Sequence, residues 1–218
     1  MGAMAQHKEL SCDFTLEVWG EGVVTAVPDR TLITMGTVSD GVELESVQSD
    51  NATKMAAIID ALEHSGIARE SIKTTQFQIE PQYDYIDGKQ EFRGYRVTHL
   101  LQVMLDNVTE AGRLIDEAVA NGANLVNSIE FDSSEAAKAR QEALIAAVRD
   151  AEAKATAIAR ALSVSLSAVP CKVEEVAQPR AEPMFFKAAA MPLQSATSPI
   201  EPGQLTFSAV VRIWYLYG

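Results

Sequence analysis

Cysteine is nearly absent: Cys12 and Cys171 are the only two in 218 residues. They allow at most one intramolecular bridge, which excludes a disulfide-framework miniprotein, and no Cys/His set has the spacing of a zinc site. Basic charge is also short, with 18 Lys and Arg against 30 Asp and Glu, a formal net charge of −12. A phosphate backbone or an anionic lipid surface needs a basic patch, so nucleic acid is not expected as a partner. No apolar run approaches the ~18 residues that a membrane helix requires.

Familiar catalytic signatures are missing too. The chain has no Gly-x-Ser-x-Gly elbow, no His-Glu-x-x-His and no Walker loop. Gly20-Glu21-Gly22 lacks the third glycine and the following helix of a dinucleotide site. Histidine occurs three times, at His7, His64 and His99, and His99 sits on the apolar parity of a strand, the setting of a buried, hydrogen-bonded core residue. No catalytic residue, metal ligand or cofactor site is assigned from these patterns.

What is present is periodicity. Phe14, Leu16, Val18, Gly20, Gly22, Val24 and Ala26 share one parity of a strand, with Trp19 and Glu21 on the other. Glycines inside a strand point to a bulge or a close backbone approach. Thr31 to Val38 reads as the return strand. A helix follows, with Val47, Met55, Ile58, Ile59 and Leu62 on one face behind Ser46 as a cap, and it stops at Gly66 with Ile67 placed for a Schellman contact. Ile72 to Pro81 is a strand. Asp87-Gly88 is a type I′ hairpin signal, and its second arm alternates from Tyr95 through Leu105. Asn107 with Glu110 resembles a capping box ahead of Leu114, Ile115 and Ala118, and Gly122 ends that helix before the strand around Leu125 to Phe131.

Helix, glycine stop and strand therefore occur twice, as two βαβ-like units on one sheet. The longest helix, about 135–162, is Ala-rich, and Leu144, Val148, Ala151, Ala155, Ile158 and Leu162 trace a seam along it. The expected architecture is α+β: an antiparallel or mixed sheet under about three helices, near 46–65, 108–121 and 135–162, closed by a C-terminal strand. Residues 1–13 read as a tag or disordered tail, beginning with the scar-like Met1-Gly2-Ala3-Met4, and 14–218 as a single domain.

Two surfaces stand out as candidates. The stretch 178–203 holds five of the eight prolines yet carries Met184, Phe185, Phe186 and Met191. Prolines keep it out of regular structure, while its large apolar side chains need cover. With Trp214 on the closing strand, it is a candidate interface for a second copy. Tyr83 and Tyr85, with Arg93 and Arg96, flank the hairpin as a candidate ligand or partner surface, since aromatic and Arg side chains anchor interfaces. Pairing within the sheet is the alternative use of these aromatics.

The segment Val18-Trp19-Gly20-Glu21-Gly22-Val23-Val24-Thr25-Ala26-Val27-Pro28-Asp29 resembles the opening signature of the SIMPL-domain family. Pro81-Gln82-Tyr83-Asp84-Tyr85-Ile86-Asp87-Gly88-Lys89 with Gly94-Tyr95-Arg96-Val97 is similar to the family's central hairpin, and the Ala-rich helix and Pro/Met-rich segment also fit. That family takes in YggE-like oxidative-stress proteins and a periplasmic immunogenic protein. The resemblance implies an α+β fold, export to the periplasm or cell surface, homo-oligomer formation and no established catalytic residues. Trp19 stands where a small or polar residue is expected. Two functions follow as expectations. One is a non-enzymatic, self-associating envelope protein with a protective or scaffolding role in oxidative stress. The other is a small-molecule binding protein or an unrecognised hydrolase with a cleft near the 83–96 hairpin; for the address, the alternative to export is the cytoplasm.

Overall fold

Stretches of period two fold as strands and stretches of period 3.6 as helices in the computed structural model, which describes residues 14–176 and 198–218. In chain order the elements are β1 (Thr15–Ala26), β2 (Arg30–Gly41), α1 (Leu44–His64), β3 (Ile72–Ile86), β4 (Lys89–Leu105), α2 (Ala111–Ala120), β5 (Leu125–Asp132), α3 (Ala136–Leu162), β6 (Lys172–Val176) and β7 (Leu205–Leu216). The tail 1–13 with Cys12, and Met184, Phe185, Phe186 and Met191 of the Pro-rich arm, lie outside the described residues.

The α+β class is as expected. The single sheet is not: the strands form a four-stranded sheet, β3-β4-β2-β5, and a three-stranded sheet, β1-β7-β6, with antiparallel pairing throughout. The described chain divides into two compact units, one from residues 27–134 and 198–203, the other from 14–26, 135–176 and 204–218.

In the four-stranded unit, β2 and β3 run parallel with β4 between them, and β4 and β5 run parallel with β2 between them. The two βαβ units read from the sequence are therefore real, and each is split by a strand of the other, the ferredoxin-like arrangement. Ile33 and Met35 of β2, Leu101 and Val103 of β4, Met55, Ile58 and Leu62 of α1 and Leu114 of α2 form its core. α1 ends as its sequence requires. Gly66 adopts φ +91°, Ile67 N–H reaches Leu62 O at 3.1 Å and Gly66 N–H reaches Glu63 O at 3.0 Å, a Schellman pair. The start differs from expectation. The helix begins behind Glu43 with no side-chain cap, so Ser46 lies within the first turn. Asn107 does cap its turn, accepting from Thr109 N–H at 3.1 Å, while Glu110 pairs with Arg113 instead of reaching back.

Asn51 is a polar group inside this core that the apolar periodicity passed over. It is fully buried, and its Nδ2 donates to Thr37 O at 3.3 Å and Val97 O at 3.1 Å. One side chain of α1 is thereby tied to both central strands.

The three-stranded unit is built on small residues. β7, apolar on both faces, is the central strand, between β1 and β6; its face with Val211, Ile213 and Tyr215 packs with the alanines of α3. The buried face of α3 is Ala136, Ala139, Ala143, Ala147, Ala151, Ala155 and Ala159. This corrects the expected seam. Val148 and Ile158 are each 38% exposed and Leu162 is 63% exposed; of the larger aliphatics, Leu144 packs against the core. The reason lies in β1. A Cβ on Gly20 would stand 2.0 Å from Ala147 O, and one on Gly22 would stand 2.0 Å from Ala143 O. The helix backbone rests directly on the strand, and only Cβ-sized side chains fit beside that contact. The alanines at 143, 147 and 151, four apart along α3, line up along Gly22 and Gly20 of β1.

Gly22→Val is expected to destabilise the protein by about 1–3 kcal/mol or more, the cost of overpacking against backbone that cannot retreat. A thermal melt that leaves the midpoint unchanged would contradict the close contact of α3 with β1.

Candidate interaction surfaces

The β3–β4 hairpin owes its turn to Asp87 and Gly88, whose φ values of +51° and +77° are those of a type I′ connection between Ile86 and Lys89. The pairing of β2 with β4 ends at Gly41 opposite Tyr95. Beyond it the two arms pair with each other and, among the described residues, with no third strand. Side chains there are only partly covered: Tyr83 is 46%, Phe92 49% and Tyr85 76% exposed.

Tyr83 meets Phe92 edge to face at 5.8 Å, and Phe92 meets Tyr95 at 5.2 Å. Further along, Phe77 meets the His99 ring at 5.1 Å. With Ile79 opposite Val97, these residues form an apolar row along the outer part of the sheet. Of the four hairpin residues singled out by sequence, only Tyr83 joins the row. Tyr85 projects into solvent. Arg96 donates from Nε and Nη2 to the two carboxylate oxygens of Asp40, at 2.8 and 3.3 Å, and this pairing holds its pKa above the ordinary arginine value. Arg93 lies 3.7 Å from Asp84. Neighbouring strand residues point to opposite faces, so Arg96 cannot share the face of Tyr95. These two cations are held by carboxylates and do not stack on the row.

His99 also differs from expectation. It is half-buried, and its Nδ1 has no hydrogen-bond partner among the described residues. Burial lowers its pKa, because desolvation disfavours the imidazolium. Beside the hairpin base, a depression of about 480 Å3 is lined by Asp40, Gly41, Val42, Glu43, Ser46, Val47 and Asp50. Two of its carboxylates are engaged, Asp40 by Arg96 and Asp50 by Ser39 Oγ at 2.8 Å and Lys54 at 2.6 Å. Among the described residues no three His, Cys, Asp or Glu side chains gather as a metal site would need.

In the three-stranded unit, register builds a second surface on the sheet face away from α3. Trp19 stands opposite Arg212, Glu17 opposite Trp214, and Lys172 opposite Trp214 on the other side. The Arg212 guanidinium lies over both indoles, 4.6 Å from the Trp214 ring and 5.3 Å from the Trp19 ring, and Lys172 Nζ is 4.6 Å from Trp214. Glu17 accepts from Arg212 Nε at 2.5 Å and from Trp214 Nε1 at 3.1 Å. The bond from Arg212 holds the Glu17 carboxyl below its ordinary pKa. Trp214 thus belongs to an indole–cation ladder. Its partners Arg212 and Lys172 were not singled out by sequence. The signal was present in strand parity, which puts Trp19, Arg212 and Trp214 on one face once β1 and β7 are known to pair.

The chain matches the model of the SIMPL family, described as "Protein of unknown function (DUF541)", over residues 16–215. It is 27% identical over 183 residues to the 26 kDa periplasmic immunogenic protein of Brucella melitensis, covering 81% of this chain and 73% of that protein. It is 26% identical over 214 residues to the protein YggE of Escherichia coli K12, covering 97% of this chain and 87% of that one. YggE of Edwardsiella ictaluri is 28% identical over 199 residues, covering 91% and 83%.

Two titrations test these surfaces. His99 has a lower pKa folded than unfolded, so the unfolded chain binds more protons in that window and stability falls as pH drops below about 6.5. Urea unfolding from pH 7.5 to 5 should show this loss, and it should flatten in His99→Gln. For Glu17 the folded pKa is also lowered, so the ladder's contribution holds above the ordinary carboxylate range and is lost as pH falls through the depressed value. Tryptophan fluorescence of the wild type should change only at that low pH, and the change should move upward in Arg212→Leu. An unmoved transition would mean that Arg212 does not control Glu17.

Proposed function

The chain belongs to the SIMPL family, and from that premise we propose that it is a self-associating, non-enzymatic protein of the periplasm with a protective or scaffolding role in oxidative stress. The observation that carries self-association is the hairpin. Tyr83 and Phe92, in edge-to-face contact at 5.8 Å, are 46% and 49% exposed, and Tyr85 is 76% exposed, on one two-stranded element. Soluble monomers rarely leave so contiguous an apolar patch uncovered, and such patches mark interaction surfaces. Ring edges already ordered against one another lose little side-chain freedom on docking, and the nearby arginines, neutralised by Asp40 and Asp84, add no net repulsion between like surfaces.

The periplasmic address rests on the relative named as a periplasmic immunogenic protein. Among the described residues no helix is long and apolar enough to cross a membrane. The role in oxidative stress rests on the resemblance to the YggE-like group. The Pro-rich arm with Met184, Phe185, Phe186 and Met191 is part of the same proposal as a second contact between copies.

Light scattering at micromolar concentration is expected to give a mass that is a multiple of 23.6 kDa. A Tyr85→Asp, Phe92→Asp double variant, which touches only exposed rings, should lower that mass with its circular dichroism unchanged. A wild-type mass of one chain would refute self-association.

A further inference from the structure

A sheet with open edges must protect or use them, because each edge presents unpaired N–H and C=O groups. The molecule treats its edges differently. On β1, Glu21 N–H donates to Asp150 Oδ2 at 2.9 Å and Trp19 O accepts from Lys154 Nζ at 3.0 Å, and the two side chains pair at 2.7 Å. An ion pair from α3 thus plugs the middle of that edge. The β6 edge is five residues long. The β5 edge is eight residues long and ends in Glu130 and Asp132. The β3 edge runs for 15 residues.

Within β3 the irregularities fall between Thr74 and Gln76 and between Gln82 and Tyr83. Pro81, which lacks an N–H and suits an edge strand, closes a regular stretch from Gln76 to Glu80. One face of this stretch carries Phe77, 51% exposed, and Ile79, 37% exposed. The other carries a hydrogen-bonded polar row, Gln76 to Gln78 at 2.8 Å and Gln78 to Glu80 at 2.8 Å.

We infer that this edge pairs with the same edge of a second copy, antiparallel and centred on Gln78, joining two four-stranded sheets into one. The inference rests on the self-association reading and names its contact. The occupant is a second copy because the stretch is complementary to itself under a two-fold axis. Centred on Gln78, Phe77 of each copy stands opposite Ile79 of the other, a cross-strand aromatic–aliphatic pair of the stabilising kind. Gln76 stands opposite Glu80 on the other face, so no like charges meet. A register shifted by one residue would set apolar side chains against the Gln row, which specifies this alignment. The contact is isologous and closes as a dimer.

The test is a cross-link in the full chain with Cys12→Ser and Cys171→Ser. Residues directly opposite in an antiparallel pair lie about 4.5–5.5 Å apart at Cα, within disulfide reach. Gln78→Cys should form an intermolecular disulfide on mild oxidation several-fold faster than Glu130→Cys on the β5 edge. Phe77→Asp with Ile79→Asp should lower the mass seen by light scattering, with the circular dichroism of the folded chain retained. An oligomer whose Gln78→Cys variant cross-links no faster than Glu130→Cys overturns the edge pairing and leaves self-association standing. A one-chain mass for the wild type overturns both.

Discussion

Backbone polar groups at strand edges must find partners or water, and this constraint runs through the whole chain. Inside the four-stranded sheet it is met by interleaving, since β2 and β4 each take a partner on both sides. In the three-stranded sheet β7 does the same, and one outer edge is closed by Asp150 and Lys154 of α3. The helix that packs the face of β1 therefore also guards its edge. Among the described residues, the long β3 edge combines unpaired backbone groups with exposed Phe77 and Ile79.

The two units solve packing in opposite ways. The four-stranded unit fills the space between helices and sheet with Ile, Leu and Met, whose shapes interlock and tolerate modest change. The three-stranded unit removes side chains instead. Gly20 and Gly22 bring β1 against the backbone of α3, where alanine is the largest side chain that fits the contact line. Tight backbone contact leaves no flexible atoms to absorb a substitution, so the same glycines that permit the approach also make it intolerant.

Charge is arranged locally on the described surface. Arg96 with Asp40, Arg212 with Glu17 and Lys154 with Asp150 are short pairs within a chain whose net charge is −12. Exposed pairs of this kind contribute little to stability. They do orient side chains: Arg212 is held by Glu17 where it covers two indoles, and Arg96 is held by Asp40 away from the aromatic row.

Local periodicity and turn chemistry carried much of the fold in legible form. Gly66 and Ile67 spelled a Schellman end and Asp87-Gly88 a type I′ turn, because each depends on φ preferences within a few residues. The repeated strand–helix–strand pattern was legible for the same reason. Partnership was not. The division into two sheets, the register that sets Trp19 over Arg212, and the choice of alanines over Val148 and Ile158 as the buried face of α3 all depend on which distant backbone lies alongside. A helical face at 3.6 residues per turn offers several apolar stripes, and only the glycine-stripped strand opposite decides which is buried. Likewise Arg93 and Arg96 sat beside the tyrosines in sequence, yet strand alternation and the carboxylates of Asp84 and Asp40 separated them in space. The sequence by itself determined the elements, their ends and their turns, since those are short-range properties of the backbone; tertiary structure alone decided which faces and edges were left to meet another molecule, since exposure is defined only once every other surface has found its cover.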